Sequence, residues 1–152
     1  MPRPGVRGTA VAIAVLLILS APLRAQSSAP AAPGDHPAAL TQQLAQGRLV
    51  LREIRFAPGS DRIDQSSETV LRDLAQALIE NAGVFLIEGH TDAGPDAGSA
   101  QLLSERRAVA VKTRLVSEGV AAGRLLAVGY GASRPRRDDG RHNARIEVTR
   151  VQ

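Results

Sequence analysis

The segment Glu88-Gly89-His90-Thr91-Asp92 contains the densest group of side chains that could do chemistry. It ends a short apolar run, which places these residues at the carboxyl end of a predicted buried strand, where ligands tend to bind in open α/β sheets. Arg107 comes fifteen residues after Asp92, in the first turns of a predicted helix. A strand that leads into an antiparallel helix would bring both charges to one end of the domain. Such a pair can bind the ammonium and the carboxylate of an amino acid, or the two residues can simply form a salt bridge.

Other kinds of chemistry find little support in the residues. His90 and Asp92 would share one face of a strand as two possible ligands, but no third is evident nearby, so no metal site is predicted. A serine hydrolase needs its nucleophile on a strained turn, whereas Ser104 falls inside a predicted helix and no G-x-S-x-G occurs. The absence of cysteine excludes thiolate sites and a lipid-modified N-terminal cysteine. The residues therefore offer no evident arrangement for catalysis, and no cofactor is predicted.

The net charge of +4 does not indicate nucleic-acid binding once the charges are located. The first 25 residues contain Arg3, Arg7 and Arg24 and no acid, and the rest of the chain is close to neutral. Two phenylalanines and one tyrosine are too few to stack bases. The arginines between residues 134 and 141 are interpreted as part of a solvated loop rather than a phosphate site.

The N-terminus predicts an exported protein. A basic start and an apolar run over residues 10–19 give residues 1–25 the layout of a secretory signal peptide. The run is much shorter than the roughly 20 residues that span a bilayer, which makes an uncleaved anchor the weaker interpretation. Residues 26–47, rich in alanine, proline and serine, are predicted to be a flexible tether, although Leu40–Gln46 could form a short helix. Residues 48–152 are predicted to form one domain.

Hydrophobic periodicity predicts two long helices and four strands. In the first strand, from Leu49 to Phe56, a period of two predicts that Val50, Ile54 and Phe56 face the core. The helices are predicted over Ser66–Asn81 and Ala100–Ser117, and the other strands over Val84–Gly89, Leu125–Gly129 and Arg145–Val151. This order predicts an α/β fold, an α+β sandwich in which two main helices pack on one face of a small mixed four-stranded sheet.

Two blocks at a fixed distance, Glu88–Asp92 and Leu103-Ser104-Glu105-Arg106-Arg107-Ala108, form the most specific motif of the chain. Further segments accompany them: Ile54-Arg55-Phe56, Leu115–Val120, Gly129-Tyr130-Gly131, Pro135 and Asn143–Val148. In these segments the sequence resembles the OmpA-like peptidoglycan-binding domain family, over about residues 49–151.

The resemblance implies a βαβαββ domain that binds the diaminopimelate of the peptidoglycan stem peptide without covalent chemistry. In that family an aspartate after the Gly-His-Thr motif pairs with the ammonium of the ligand, and an arginine after the Leu-Ser motif pairs with its carboxylate. These roles fall on Asp92 and Arg107. Thr91, which would support the same loop, and Asn143 complete the implied ligand-binding set. The implied role is anchoring or envelope integrity in the periplasm, with peptidoglycan as partner and outer-membrane or other envelope proteins as further candidates.

Three positions depart from the pattern of the family. Pro95 stands one step after Gly94 where a glycine is usual, Ala100 stands in place of an asparagine, and Ala144 replaces the first of two arginines. These departures favour an alternative hypothesis, in which the domain keeps the fold but serves as a periplasmic protein-interaction module. An enzyme that acts on the wall is the weakest hypothesis, because the sequence offers no paired carboxylates or nucleophile for it.

Overall fold

The computed structural model describes residues 36–94, 96–136 and 142–151. Its elements are α1 (His36–Ala45), β1 (Arg48–Leu51), α2 (Glu68–Glu80), β2 (Val84–His90), α3 (Ala97–Ser117), β3 (Leu125–Gly129) and β4 (Arg145–Val151). Short 3-10 turns at Gln65–Ser67 and Ala122–Arg124 lead into α2 and β3. Within these described ranges no helix is both long and apolar enough to cross a membrane.

The four strands form one mixed sheet in the order β1-β4-β2-β3. β2 and β3 are parallel, and β4 lies antiparallel between β1 and β2. One face of this sheet packs against the apolar sides of α2 and α3. The core between them contains Leu71, Leu74, Leu78, Phe85, Ile87, Val111, Leu115, Ile146 and Val148, all fully buried or nearly so. The predicted fold class is therefore confirmed.

Aspartate side chains cap the 3-10 turn that leads into α2 and the start of α3. Asp64 accepts a hydrogen bond from the backbone N–H of Ser66 at 2.9 Å, at the start of the 3-10 turn that leads into α2. Asp96 accepts from the N–H groups of Gly98 and Ser99, at 3.2 and 2.7 Å. Because these N–H groups have no partner inside the helix, a capping carboxylate stabilises the first turn. The cap starts α3 at Ala97, three residues before the predicted start.

The first strand differs from its prediction in both length and facing. β1 ends at Leu51, and the residues that point to the core are Leu49 and Leu51, at 1% and 2% exposed, while Val50 lies on the other face. A bend follows β1 and breaks the period of two, so Ile54 is buried without belonging to the strand. The predicted face was wrong for Val50, because the alternation was continued through this bend, whereas Ile54 and Phe56 do pack in or against the core.

α1 occupies residues 36–45 of the segment that was predicted to be a tether. Leu44 is 1% exposed, Leu40 packs against the core, and α1 contacts α2. Two leucines four residues apart lie on the same side of a helix, which is enough to bury one face of a short one. The packed part of the chain therefore begins before the predicted boundary at residue 48. The predicted signal peptide and the first part of the predicted tether lie outside the described residues.

Candidate functional site

Asp92 lies two residues beyond β2, in a loop fixed by its neighbours. The N–H of Thr91 donates to the carbonyl of Gly131 at 3.0 Å. The carboxylate oxygen Oδ1 of Asp92 accepts from the backbone N–H groups of Asn143 and Ala144. Its other oxygen, Oδ2, lies 3.6 Å from Nδ1 of His142, and the side chain is 51% exposed. One carboxylate oxygen is thus fixed by the backbone before β4, and the other lies beside the exposed side chain of His142.

Arg107 projects from α3 toward the same end of the sheet. Its Nε donates to the carbonyl of Ser60 at 2.9 Å, and its guanidinium carbon lies 4.8 Å from the centre of the Phe56 ring. Burial lowers the pKa of Arg107, and the negative charges of Asp92 and Asp61 raise it in part. The side chain nevertheless remains cationic at neutral pH, because the ordinary pKa of arginine is so high.

Asp92 and Arg107 share a site without pairing directly. The negative charge of Asp92 raises the pKa of Arg107 in part, so the two groups interact electrostatically. Among the described residues, however, neither side chain is in a salt bridge with the other. The direct salt bridge between Asp92 and Arg107, which their spacing in the sequence allowed, is therefore not formed. Asp92 and Arg107 therefore have separate partners within the protein: Asp92 contacts the backbone before β4 and His142, and Arg107 contacts the carbonyl of Ser60.

Thr91 and Asn143 hold the site together through contacts within the protein. Thr91 is 4% exposed, and its hydroxyl donates to the carbonyl of Ala100 at 3.3 Å. The amide nitrogen of Asn143 donates to the carbonyl of Thr91 at 2.7 Å, while its backbone N–H donates to Asp92. The structure thus brings both predicted residues to the site. The hydroxyl of Thr91 faces the protein, and Asn143 joins the Asp92 loop to the start of β4.

Sequence reasoning assigned no role to Arg145, which orients Asn143 through hydrogen bonds. The Nη1 atom of Arg145 donates to both the carbonyl and the side-chain oxygen of Asn143, and Nη2 donates to the carbonyl of Arg134. Arg145 is 4% exposed, and its Nε donates to the buried carboxylate of Glu147. Alternation in Arg145-Ile146-Glu147 could have indicated two charges on one face of β4, opposite the apolar core.

The face of the sheet opposite the helices contains a buried polar cluster. Glu88 on β2 pairs in register with Glu147 on β4, and His90 pairs with Arg145. Arg48 from β1 forms a salt bridge with Glu147. Burial raises the pKa of Glu147, but hydrogen bonds from Arg145 and Arg48 and their charges lower it more, so the net pKa lies below its ordinary value. Glu147 is therefore a carboxylate at neutral pH.

Glu88, His90 and Glu147 are the described residues that come closest to a metal-ligand set, since their possible ligand atoms lie within 4.8 Å of one another. Neither ring nitrogen of His90 has a hydrogen-bond partner in the described structure. Both carboxylates already face guanidinium groups, however: Arg145 contacts Glu147, and Arg134 lies 3.8 Å from Glu88. A divalent cation would enter a site whose net charge is already positive. This cluster is therefore better described as a network that joins the strands.

His90 lies in the middle of that network and is 1% exposed. Its ring stacks on Tyr130, with 5.6 Å between the ring centres. Burial, followed by the positive charge of Arg145, lowers the pKa of His90 to about 4. The imidazole is consequently neutral at physiological pH.

This lowered pKa predicts that the protein loses stability in mildly acidic solution. The unfolded state takes up a proton on His90 near pH 6.5, whereas the folded state resists it down to about pH 4. Between these values the unfolded state binds more protons, so the free energy of unfolding should fall as pH decreases, by about 3 kcal/mol in total. Urea unfolding of the wild type between about pH 7 and about pH 4.5 measures this slope.

His90→Gln provides the control for that measurement, because the glutamine side chain does not titrate in this range. Its free energy of unfolding should depend on pH much less than that of the wild type. The carboxylates with lowered pKa, such as Glu147, change the free energy of unfolding only below their ordinary pKa of 4.5. Their effect therefore falls below the pH range of this measurement. Equal pH slopes in the wild type and His90→Gln would contradict the assignment.

Two of the three departures noted in the sequence can be located. Ala100 is 8% exposed and lines a groove beside the Asp92 loop. The other lining residues are Ala93, Gly94, Ala97, Gln101, Tyr130, Gly131, Ala132 and Ser133. Ala144 donates its backbone N–H to Asp92 at 3.3 Å. Pro95 lies outside the described residues, as do the arginines 137 and 141 of the predicted solvated loop.

Comparisons with known proteins show similarity to one family and to several of its members. Residues 55–149 match the OmpA family. The chain is 37% identical over 111 residues to outer membrane porin F of Pseudomonas fluorescens, covering 72% of this chain and 34% of that protein. It is 34% identical over 83 residues to a peptidoglycan-associated lipoprotein of Buchnera aphidicola, covering 54% of this chain and 48% of the relative. The chain thus spans about a third to a half of the length of these relatives.

A solved structure extends the similarity to three dimensions. The cell wall anchor of the T6SS from Pseudomonas aeruginosa superposes with a TM-score of 0.60 at 27% identity. The superposition covers 75% of this chain and 95% of that one. The similarity therefore includes nearly all of that anchor.

Proposed function

Because this chain belongs to the OmpA family, we propose that it binds cell-wall peptidoglycan non-covalently through the diaminopimelate of the stem peptide. The observation that supports this most is the arrangement of Asp92 and Arg107, which share one site and leave their charges unpaired with each other. Relatives named as a peptidoglycan-associated lipoprotein and a cell wall anchor support the same function. The role that follows is anchoring to the wall.

The chemistry of the site matches the free end of diaminopimelate. That end has one ammonium and one carboxylate on the same carbon, so a carboxylate and a guanidinium that face a common space can bind both. The fixed Oδ1 of Asp92 leaves Oδ2 to accept from the ammonium. Arg107 donates to the carboxylate, and its partial burial strengthens that hydrogen bond. Thr91 and Asn143 set the position of Asp92 in this scheme. Binding needs no cofactor and no covalent step.

The cellular location follows from the same proposal. Diaminopimelate-containing peptidoglycan lies outside the cytoplasmic membrane, so a protein that binds it must be exported. Residues 1–25 are the proposed signal peptide and the residues before α1 the proposed tether, both outside the described ranges. The proposed location is the periplasm, in association with the wall or the outer membrane.

Co-sedimentation with purified sacculi of the diaminopimelate type tests this function. The wild type should sediment with sacculi and be released by free diaminopimelate. Asp92→Asn and Arg107→Ala should each weaken binding by more than about thirtyfold, because each removes one partner of a partly desolvated charge pair. Circular dichroism and thermal unfolding should show that both variants remain folded.

Matched control variants separate the site from general charge effects. Arg106→Ala changes the exposed neighbour of Arg107 on α3, and Glu105→Gln removes one exposed acid from the same helix. Both should sediment like the wild type. Wild-type binding by Asp92→Asn and Arg107→Ala would overturn the assignment of the site. The interaction-module hypothesis would be favoured instead if the wild type does not sediment with sacculi but captures the same periplasmic protein in repeated pull-down experiments.

A further inference from the structure

A short turn beside α3 contacts Arg107 on two sides. The turn comprises residues 56–63, and its ends, Phe56 and Ile63, pair as an antiparallel bridge. Two backbone hydrogen bonds close it, from the N–H of Ala57 to the carbonyl of Arg62 at 2.9 Å and from the N–H of Ser60 to the carbonyl of Ala57 at 3.0 Å. Phe56 and Ile63 also pack against the core. The 56–63 turn is therefore a fixed surface rather than a loose loop.

This turn restricts which atoms of Arg107 can reach a ligand. The Nε atom already donates to the carbonyl of Ser60, and the Phe56 ring lies against one face of the guanidinium. In the described residues, the terminal nitrogens Nη1 and Nη2 make no hydrogen bond. An arginine can bind a carboxylate side-on, through Nε and one terminal nitrogen, or end-on, through both terminal nitrogens. With Nε occupied, only the end-on arrangement remains.

We propose that the 56–63 turn orients Arg107 for end-on binding of a carboxylate, with Phe56 as the positioning residue. The inference rests on the proposed function, and it adds the orientation in which the ligand is bound. Phe56 does not touch the ligand in this scheme. It acts through Arg107, because the negative face of an aromatic ring attracts a cation within about 6 Å.

Preorganisation is the physical reason that such a contact matters. A free arginine side chain has many rotamers, and ordering it on binding opposes affinity. The carbonyl of Ser60 and the ring of Phe56 order Arg107 before the ligand arrives. A leucine at position 56 fills much of the same space but has no π face, so it separates packing from the cation–π contact.

The experiment compares Phe56→Leu and Phe56→Tyr in the full chain, with free diaminopimelate as the competitor in sedimentation with sacculi. Phe56→Leu should bind about three- to tenfold more weakly than the wild type, and Phe56→Tyr within about twofold of it. Val70→Ala, a truncation of a partly buried residue on α2, serves as the control for lost packing. Binding by Phe56→Leu as tight as that of the wild type would overturn the inference, and so would equal losses in Phe56→Leu and Val70→Ala.

A second readout does not require the ligand. In NMR spectra of protein with 15N-labelled arginine, the Nε–H of Arg107 should exchange slowly with water in the wild type and in Phe56→Tyr. It should exchange faster in Phe56→Leu. On addition of diaminopimelate, the terminal nitrogens should shift while the Nε–H stays protected. A fast-exchanging Nε–H in the wild type would overturn the inference even if sacculi are bound. A protected Nε–H without sacculus binding would support the orientation while rejecting the proposed function.

Discussion

Gly89→Ala should prevent the domain from folding stably. A Cβ atom at position 89 would lie 2.1 Å from the carbonyl oxygen of Ser104 and 2.9 Å from its carbonyl carbon, both part of the backbone of α3. No rotamer change relieves a contact with backbone, so α3 would have to move away from β2. We expect a loss on the order of 4 kcal/mol or more, which is a large part of the stability of an ordinary domain.

The same contact connects the fold to the site. Gly89 pairs in register with Gly129 on β3, and a Cβ atom at position 129 would also meet α3, at 2.3 Å from the N atom of Glu105. These two glycines let α3 approach the sheet, and Arg107 follows Ser104 by one helical turn. A shift of α3 would therefore also displace Arg107 from the 56–63 turn.

Thermal unfolding measures the effect of Gly89→Ala. The midpoint should fall by about 15 °C or more, or no cooperative transition should remain. Gly123→Ala is the matched control, because nothing lies within 4 Å of a Cβ atom placed there. A midpoint for Gly89→Ala within a few degrees of the wild type would show that α3 does not lie so close to the sheet.

Glu147→Leu should destabilise the protein by about 3–5 kcal/mol. Glu147 is fully buried and accepts hydrogen bonds from Arg145 and Arg48. Arg145 is itself 4% exposed, so the variant would leave a buried cation without its carboxylate. Arg48 is half exposed and can turn to water at little cost. The cost therefore arises mainly at Arg145, and urea unfolding at neutral pH measures it.

The double variant Arg145→Met, Glu147→Leu distinguishes an unpaired charge from lost packing. It removes both charges, so it should be more stable than Glu147→Leu alone. It should nevertheless bind sacculi poorly, because Arg145 no longer holds Asn143, and Asn143 no longer fixes Asp92. A double variant less stable than Glu147→Leu would contradict this interpretation, and one that binds like the wild type would show that Asp92 does not depend on Arg145.

Sequence periodicity was sufficient for most of the elements. β3 and β4 have the predicted bounds, and β2 extends one residue further than predicted. α2 and α3 differ by two and three residues at their starts, and α2 also ends one residue earlier than predicted. In these segments the side chains that face the core recur at the period of the element, so burial is visible locally. β1 was predicted less well because it is short and ends at a bend. The sequence did not decide whether α1 forms a helix, because two leucines are its main apolar signal.

The candidate site was predictable only in part, for a related reason. The types and spacing of Asp92 and Arg107 predicted a charged pair at one end of the sheet, because a helix that follows a strand begins at the end of the sheet where the strand stops. The absence of a direct salt bridge between them was not predictable. It depends on Ser60 and Phe56, which lie 47 and 51 residues before Arg107, and no local pattern predicts that contact.

The sequence by itself determined the order of strands and helices along the chain and the family motif that contains Asp92 and Arg107. Only the tertiary structure decided the close approach of α3 to Gly89 and Gly129, which in the sequence resemble ordinary turn residues. It also decided the path from Arg145 through Asn143 to Asp92. Hydrophobic periodicity reports which face of an element is buried, but strand register and the separation of packed backbones decide which distant residues meet on that face.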